Sequence, residues 1–289
     1  MSALKYLVLL PLIAILAFVE VFPLLVSFYL SITNYNQGGI FVGAANYLRI
    51  LSDSQFATSL LNSILYSVGS TGLALLVALG LAFVVSELKR GKGPIESLFL
   101  APVAVAPIVV GVIWSPSAVW DDVNTFVHFV LGLPYIDLTN PLLAFPIMIV
   151  SEAWEWSPIL MLVALSVMSS VPKEVYEAAS VHGASRWKVF RAISIPAILR
   201  SPVTQFLIVL RFIDAMRAFE IPFSWAAWTS QPNISSPIST LSLYLYNLLT
   251  VPTNGFPLSY VSAAAMVLFV VTLAAASTLF VLMKRVGKL

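Results

Sequence analysis

Residues 60–85 and 260–283 contain no charged side chain. Each run exceeds the roughly 20 apolar residues that a helix needs to cross the hydrocarbon core of a bilayer. Four further stretches come close to the same description. Residues 7–32 are broken only by Glu20 and softened by Pro11 and Pro23, and residues 98–119 carry Pro102, Pro107 and Pro116. Residues 142–168 hold Glu152 and Glu155, and residues 202–225 hold Arg211, Asp214, Arg217 and Glu220. Lipid offers no water to the backbone, so each run must close its own hydrogen bonds as a helix. The expected fold class is an all-α integral membrane protein with six transmembrane helices. Composition agrees, with 60% hydrophobic and 10% charged residues and a mean hydropathy of +0.96. A soluble domain carries about 25% charged residues, which excludes a soluble enzyme, and the apolar content excludes disorder. The first run outlasts the roughly 7–15 residues of a signal peptide's apolar region, so it reads as a retained helix.

The charges place the helices. Lys5, Lys89, Arg90, Lys92, Lys173, Arg186, Lys188, Arg191, Arg200, Lys284, Arg285 and Lys288 fall on one side of the six-helix arrangement, against Arg49 alone on the other. Short basic loops stay in the cytoplasm, so both termini are expected there, in a cell membrane crossed several times. The overall balance of 15 basic to 13 acidic residues is too even to suggest nucleic acid as a partner. Membrane lipid is the expected surroundings. Cysteine is absent and His128 and His182 are the only histidines, so thiolate chemistry is excluded and no metal site is expected. The chain divides into a first helix with its exterior loop (1–56), a core of five helices (57–283) with a cytoplasmic loop at 171–200, and a short tail (284–289). Within the exterior segment 226–259, the stretch 241–249 reads as lying on the membrane surface, with Tyr244 and Tyr246 at the interface.

The cytoplasmic loop carries the densest local signals. Pro172 suits a first helical position, Glu174 and Glu177 lie near a helix start, Gly183 suits the left-handed turn that ends a helix, and Ser185 can cap the next one. Trp187, Phe190 and Ile193 recur at helical spacing, and Pro196 is expected to stop that second helix. One reading is an amphipathic hairpin resting on the inner leaflet. The other comes from the pattern Glu177-Ala178-Ala179-x-x-x-Gly183-Ala184 followed by Phe190, Ile193, Ile195 and Pro196. It resembles the coupling motif in the permease subunits of ATP-binding-cassette (ABC) importers. In that family the loop forms a short helix that docks into a groove on an ATPase subunit.

The resemblance extends along nearly the whole chain. Leu9-Leu-Pro11, Phe22-Pro-Leu24, Phe41-Val-Gly43 with Asn46-Tyr47, Leu61-Asn-Ser63, Ala101-Pro102, Val109-Val-Gly-Val-Ile-Trp114 and Ser259-Tyr-Val-Ser-Ala-Ala264 look like sugar-importer permeases of the maltose type. Two positions depart from the pattern: His182 stands where an Asp usually precedes the motif glycine, and residues 225–232 replace a glycine-rich turn after the fifth span. The resemblance implies a type I ABC importer permease fold with a cytoplasmic coupling helix. It implies ATPase contacts at Glu177, Ala178, Ala179, His182, Gly183, Ala184, Arg186 and Phe190. The implied partners are a second homologous permease, two ABC ATPases and an extracellular or periplasmic sugar-binding protein. This chain lacks a Gly-x-x-x-x-Gly-Lys-Ser/Thr loop, so it is expected to be non-catalytic and to bind no cofactor, with ATP and Mg held by the partner ATPases.

Ionisable groups inside spans are costly and face a cavity or a partner. Arg211, Asp214, Arg217 and Glu220 alternate in sign at spacings of three, so neighbours can pair along one helix as a self-neutralising ladder. Depth along the fourth and fifth spans also lets Glu155 reach Arg211 or Arg217. With Trp154 and Trp156 flanking Glu155, these residues form a candidate substrate pathway in which a ring stacks on a sugar face and charges bond its hydroxyls. Polyols, glycerol phosphate and peptides remain open as solutes. A separate reading is an ion-coupled secondary transporter using Glu152, Glu155, Asp214 and Glu220. A membrane enzyme is the weakest reading, since no convincing catalytic grouping is present.

Overall fold

A computed structural model of the chain describes residues 2–88, 90–116, 118–226, 238–250 and 257–286. Helix α1 (Ser2–Leu16) passes through a π turn at Ala17–Val21, which contains Glu20, into α2 (Phe22–Ser31). Pro23 falls in the first turn of α2, where its missing N–H costs nothing. The apolar window of this first span has 0% of its residues buried, and it meets the rest of the protein chiefly where α2 lies along the last helix, α15 (Leu258–Val286). A two-stranded hairpin follows, β1 (Thr33–Asn34) and β2 (Ile40–Phe41), with Thr33 opposite Phe41. The Asn46 side-chain amide, in α3 (Ala45–Leu51), donates to the carbonyls of Ser31 and Thr33 and closes the end of α2.

Helix α4 (Ser54–Glu87) is the longest, about 51 Å at 1.5 Å per residue. One face is a seam of small residues: Ser59, Ser63, Ser67, Ser70, Ala74, Ala78 and Ala82, all fully buried. In lipid no hydrophobic force draws helices together, so close packing over small side chains does. The alanines of that seam pack against α8 (Pro141–Ser170), the most extensive helix pairing in the structure, while Ser63 accepts from the Leu241 N–H. Helix α8 stays continuous despite Pro146 and Pro158. At Pro158 the carbonyl of Trp154 loses its N–H partner, and the Ser157 hydroxyl donates to it instead at 3.3 Å.

The third expected span is broken into short pieces. Helix α5 (Lys92–Phe99), a 3₁₀ turn (Ala101–Ala104) and α6 (Pro107–Ile113) replace a single helix, and α7 (Val119–Leu131) follows. Pro102 and Pro107 each open a new piece, and Ala106 takes the extended conformation that a following proline imposes. Among the described residues, four helices are long and apolar enough to cross a membrane: Leu9–Ser31, Ser54–Glu87, Pro141–Ser170 and Leu258–Arg285. The bent pair Arg186–Arg200 and Pro202–Ala226, turned by 67°, adds a fifth only when both parts are taken as one span. Ser201, extended ahead of Pro202, makes that bend.

The bent pair contains α10 (Arg186–Val189), a π turn (Phe190–Ser194), α11 (Ile195–Arg200), α12 (Pro202–Met216) and α13 (Glu220–Ala226), preceded by α9 (Lys173–Val181). Pro196 does not stop its helix. The π turn ends just before it, so Pro196 sits in the first turn of α11 and needs no donor there. Helices α14 (Leu241–Thr250) and α15 (Leu258–Val286) complete the described structure. Where the sequence suggests that 241–249 lies on the membrane surface, the structure packs Leu241, Tyr244 and Leu248 against α15 and α4 and buries Leu243 as well. Tyr246, in the same helix, packs between Phe219 and Phe223. The departure at 227–232 lies outside the described residues.

Polarity explains the inward turn of Tyr244. Asp53 caps α4 by accepting from the backbone N–H groups of Gln55 and Phe56, and its other oxygen accepts from the hydroxyls of Tyr244 and Tyr260. The Arg49 guanidinium sits over the Tyr260 ring at 5.2 Å. Three segments far apart in sequence thus meet on one carboxylate. Burial works to raise the Asp53 pKa, but the two phenols and two amides outweigh it and hold the group below its ordinary value. A lowered folded pKa means stability that is complete above about 3.9 and is lost as pH falls toward the folded value. Thermal unfolding in detergent is therefore expected to show an acid-side fall in midpoint that Asp53→Asn removes. An unchanged acid limb in that variant counts against the cap.

Candidate functional site

Near the middle of the α4–α8 pair, small residues give way to polar ones. Glu152 lies in α8, Tyr66 and Ser70 lie in α4, and Arg211 arrives from α12. Arg211 is fully buried, a position a guanidinium occupies only with charged and polar partners around it. It forms an ion pair with Glu152, donates to the Ser70 hydroxyl at 3.3 Å and to Asp214 at 3.1 Å, and stacks over the Trp156 ring at 4.7 Å. Glu152 also accepts from the Tyr66 hydroxyl at 2.7 Å. One cation thereby ties three helices together.

The pairing differs from the expected one. Glu155 does not reach Arg211; Glu152, one turn earlier on the same face, does. Glu155 is 8% exposed, and its Oε2 is buried without a hydrogen-bond partner. The charge ladder on α12 holds for Arg211 with Asp214, weakens to 3.9 Å for Asp214 with Arg217, and no Arg217–Glu220 ion pair occurs among the described residues. The reason is local: the helix ends at Met216 and resumes at Glu220, so the spacing of three no longer stacks side chains beyond Arg217.

That break opens onto a cavity of about 380 Å³. Glu155, Asp214, Arg217 and Glu220 line it, together with Glu152, Trp156 and Phe219. Trp154 is turned away from it and packs with Trp114 at 5.8 Å, beside Trp120. Arg211 stands behind the wall rather than in it. Glu155 falls about 21 Å from the start of α8, near the middle of that helix's length of about 45 Å. The sequence reading missed Ser70 and Tyr66, whose signal is a hydroxyl on an otherwise apolar helix face at the depth of an intramembrane charge.

The loop 171–200 forms a hairpin at the end of the protein where Glu87 and Ser170 end their helices. Helix α9 closes at Gly183, with φ +72°, and the Gly183 and Ala184 N–H groups donate to the carbonyls of Ser180 and Ala179. This is the Schellman ending that a left-handed glycine permits. The Ser185 hydroxyl caps the following turn by accepting from the Lys188 N–H. Arg186 pairs with Glu87 at the end of α4. Phe190 is buried against Phe83 of α4, and Trp187 meets Phe83 edge-on at 5.4 Å. Tyr176 donates to the last turn of α8, at the Met168 carbonyl, and lies 3.4 Å from the Ser194 hydroxyl. Arg186 and Phe190 thus fasten the hairpin, while Glu177, Ala178 and His182 are exposed and Val181 is 85% exposed. Ala179 and Ala184 are half-buried. No group of three or more His, Cys, Asp or Glu positioned to hold a metal occurs among the described residues.

No protein-family model matches the chain. It is 29% identical over 252 residues to the trehalose/maltose transport system permease protein MalF of Thermococcus litoralis, covering 86% of this chain and 84% of that one. Identity to the lactose transport system permease protein LacF of Rhizobium radiobacter is 28%, covering 91% and 87%. Among solved structures, a bacterial alginate ABC transporter in complex with an alginate pentasaccharide-bound periplasmic protein has a chain that superposes with a TM-score of 0.79 at 22% identity, covering 99% of this chain and 96% of that one. The resemblance to sugar-importer permeases is borne out, and the fold is that of an ABC importer permease in a multi-pass membrane protein.

The buried ion pair makes a specific energetic prediction. Removing one partner strands a charge, at a cost of about 3–5 kcal/mol, whereas replacing both by apolar residues is often neutral. Glu152→Leu alone is expected to lower the unfolding midpoint sharply, as is Arg211→Met alone to a smaller extent, and the two together to recover most of the loss. Additive losses in the cycle would show that the pair is not coupled.

Proposed function

We propose that this chain is a transmembrane permease subunit of an ATP-driven ABC importer, and that it moves a sugar delivered by an exterior binding protein. The observation that carries this reading is the α9 hairpin: its outer face is exposed, and its inner face is fixed to the ends of α8, which lines the mid-helix cavity, and of α4, which packs along α8 behind it. A partner pushing on Glu177, Ala178, Val181 and His182 acts on α8 through Tyr176 and on α4 through Arg186 and Phe190. Helix α8 carries Glu152, Glu155 and Trp156; α4 carries Tyr66 and Ser70. A rigid-body shift of the hairpin is therefore felt at the cavity without any long flexible segment between them. ATP binding and hydrolysis belong to two partner ATPases, with Mg as their metal. A second, homologous permease completes the pathway, and no covalent chemistry on the solute is assigned to this chain.

The topology proposed has six spans, with the pieces between Lys92 and Ile113 supplying the third and Pro202–Ala226 the fifth, and both termini in the cytoplasm of a cell or inner membrane. The twelve-to-one basic asymmetry supports that orientation. It places α9 in the cytoplasm as the coupling helix and Asp53 with Tyr244 on the exterior side. The sugar assignment is supported by the relatives' names and by a cavity lined by Trp156 and Phe219 together with several carboxyls. Of the two tryptophans expected beside Glu155, Trp156 lines the cavity and Trp154 does not.

Two measurements test the reading. Mild-detergent purification of the tagged chain followed by mass spectrometry is expected to recover a P-loop ATPase and a second permease. Glu177→Arg is expected to abolish ATP-driven uptake by at least tenfold while leaving membrane insertion and the solute site intact. Gly183→Ala meets no neighbour but must hold a left-handed backbone, costing about 1–2 kcal/mol, and is expected to weaken the same coupling more mildly. A chain that purifies alone and moves solute on an ion gradient would overturn the proposal in favour of the intramembrane carboxylates.

A further inference from the structure

A second cavity, of about 560 Å³, lies between α4, α15 and the two arms of the bent pair, α11 and α12. Its lining is apolar apart from two threonines, and the Thr278 hydroxyl already donates to the Ala274 carbonyl at 2.8 Å. Val68, Gly72 and Leu282 on its walls are exposed, so it is a groove open to the surroundings of the helices. Tyr260 donates to Asp53, so these positions of α15 and α4 stand level. Leu75 and Leu282 each lie 22 residues farther along, about 33 Å at 1.5 Å per residue. Ile64, at the other end of the groove, lies about 16 Å below Asp53. The groove therefore runs for about 17 Å, close to half of the roughly 30 Å hydrocarbon core. It has the length of one leaflet.

Cations gather at the end of the groove near Leu282. The Gln205 amide donates to the Leu199 and Met283 carbonyls, each at 3.0 Å, and both of those residues line the groove. That bracket brings the end of α11, with Arg200, beside the end of α15, with Lys284 and Arg285. All three side chains are exposed, and none makes an ion pair among the described residues. No acidic residue occurs in 178–213 or 221–289 to answer them. An apolar slot one leaflet deep that ends at unpaired cations matches the two parts of an anionic phospholipid, an acyl chain and a phosphate. Basic pockets between transmembrane helices bind such head groups. A partner's apolar helix would cover the slot and leave the three cations unanswered.

We propose that this groove is a lipid site: one acyl chain of an anionic phospholipid lies between α4, α12 and α15, and its phosphate is held by Arg200, Lys284 and Arg285. Leu199 and Phe212 line the groove on opposite sides of the 67° bend, so a seated lipid touches both arms of the bent pair and holds them at this angle. The inference requires a membrane-spanning chain and is independent of which solute is carried.

Phosphatidylglycerol and phosphatidylcholine with identical acyl chains separate the headgroup from the chain. The full-length chain, purified with any subunits that accompany it, is titrated with each lipid in neutral detergent, and native mass spectrometry reads the lipid retained. Phosphatidylglycerol is expected to be retained at concentrations at least tenfold below phosphatidylcholine. Arg200→Gln, Lys284→Gln and Arg285→Gln together are expected to bring the two lipids to within about threefold. Gly72 lines the groove, where an added Cβ meets nothing within 4 Å. Gly72→Leu therefore fills the groove while favouring the helix. It is expected to cut retention of phosphatidylglycerol at least fivefold without lowering the unfolding midpoint. Equal retention of both lipids by the unmodified chain would overturn the proposal. So would phosphatidylglycerol binding that Gly72→Leu leaves unchanged, since charge at the surface alone would then explain it. A photoreactive side chain in place of Thr278 is expected to capture phospholipid; capture of a protein subunit instead would overturn the lipid in favour of a partner helix. ATP-driven uptake is scored separately, so each of these failures leaves the importer reading to its own test.

Discussion

The Arg211 guanidinium is the constraint on which the middle of this protein depends. A buried cation in an apolar helix bundle is tolerated only when its partners are supplied from every side, and here they come from α4, α8 and α12. Those partners require the three helices to stand at one relative depth. Sliding α12 by a single turn moves the guanidinium about 5.4 Å, away from both Glu152 and Ser70. A buried pair gives little net stability against an apolar alternative, yet it penalises every other register strongly. The seam of small residues on α4 fixes how near α8 comes, and the cation fixes how far along it sits.

The same cation shapes the cavity by what it leaves out. By taking Glu152 and one oxygen of Asp214, Arg211 withdraws positive charge from the wall and leaves Glu155 unanswered. Helix α12 ends just past this point, so Arg217 and Glu220 leave the helical ladder and face the opening instead. A continuous helix would keep them in register for mutual pairing. Structure at the break is thus exchanged for polar groups free to meet a solute.

Legibility in the sequence followed the range of the interaction. The α9 hairpin was readable because its signals are local: Gly183 ends the helix with the left-handed turn glycine allows, and Ser185 caps the next one. The long uncharged runs were readable because lipid permits few alternatives. Prolines at 102 and 107 were visible, but whether a proline kinks a span or divides it depends on what fills the freed backbone positions, which is a tertiary matter. Pro158 is accommodated by Ser157, whereas Pro107 starts a new helix. Tyr244 was misplaced because a tyrosine at an interface and a tyrosine bonded to a distant Asp53 look identical in one dimension. The choice between Glu152 and Glu155 turned on about 4.5 Å of helix rise, finer than counting from approximate span ends can resolve. Of the two tryptophans that flank Glu155, only Trp156 lines the cavity, because adjacent residues on a helix point about 100° apart.

Coupling between two sites requires an element that both can bias, and α8 has the means at both ends. The hairpin grips its last turn through Tyr176, and the cavity takes Glu152, Glu155 and Trp156 from its centre, about 22 Å away. Pro158 lies between them, one turn from Glu155. Its lost backbone bond is replaced only by a side-chain hydroxyl at 3.3 Å, a weaker and more adjustable restraint than an amide. Bending is therefore cheapest at the point where a tug on Tyr176 would swing the lower half of α8 against an upper half held by Arg211. The buried cation anchors the upper half of α8, and the proline supplies compliance below it.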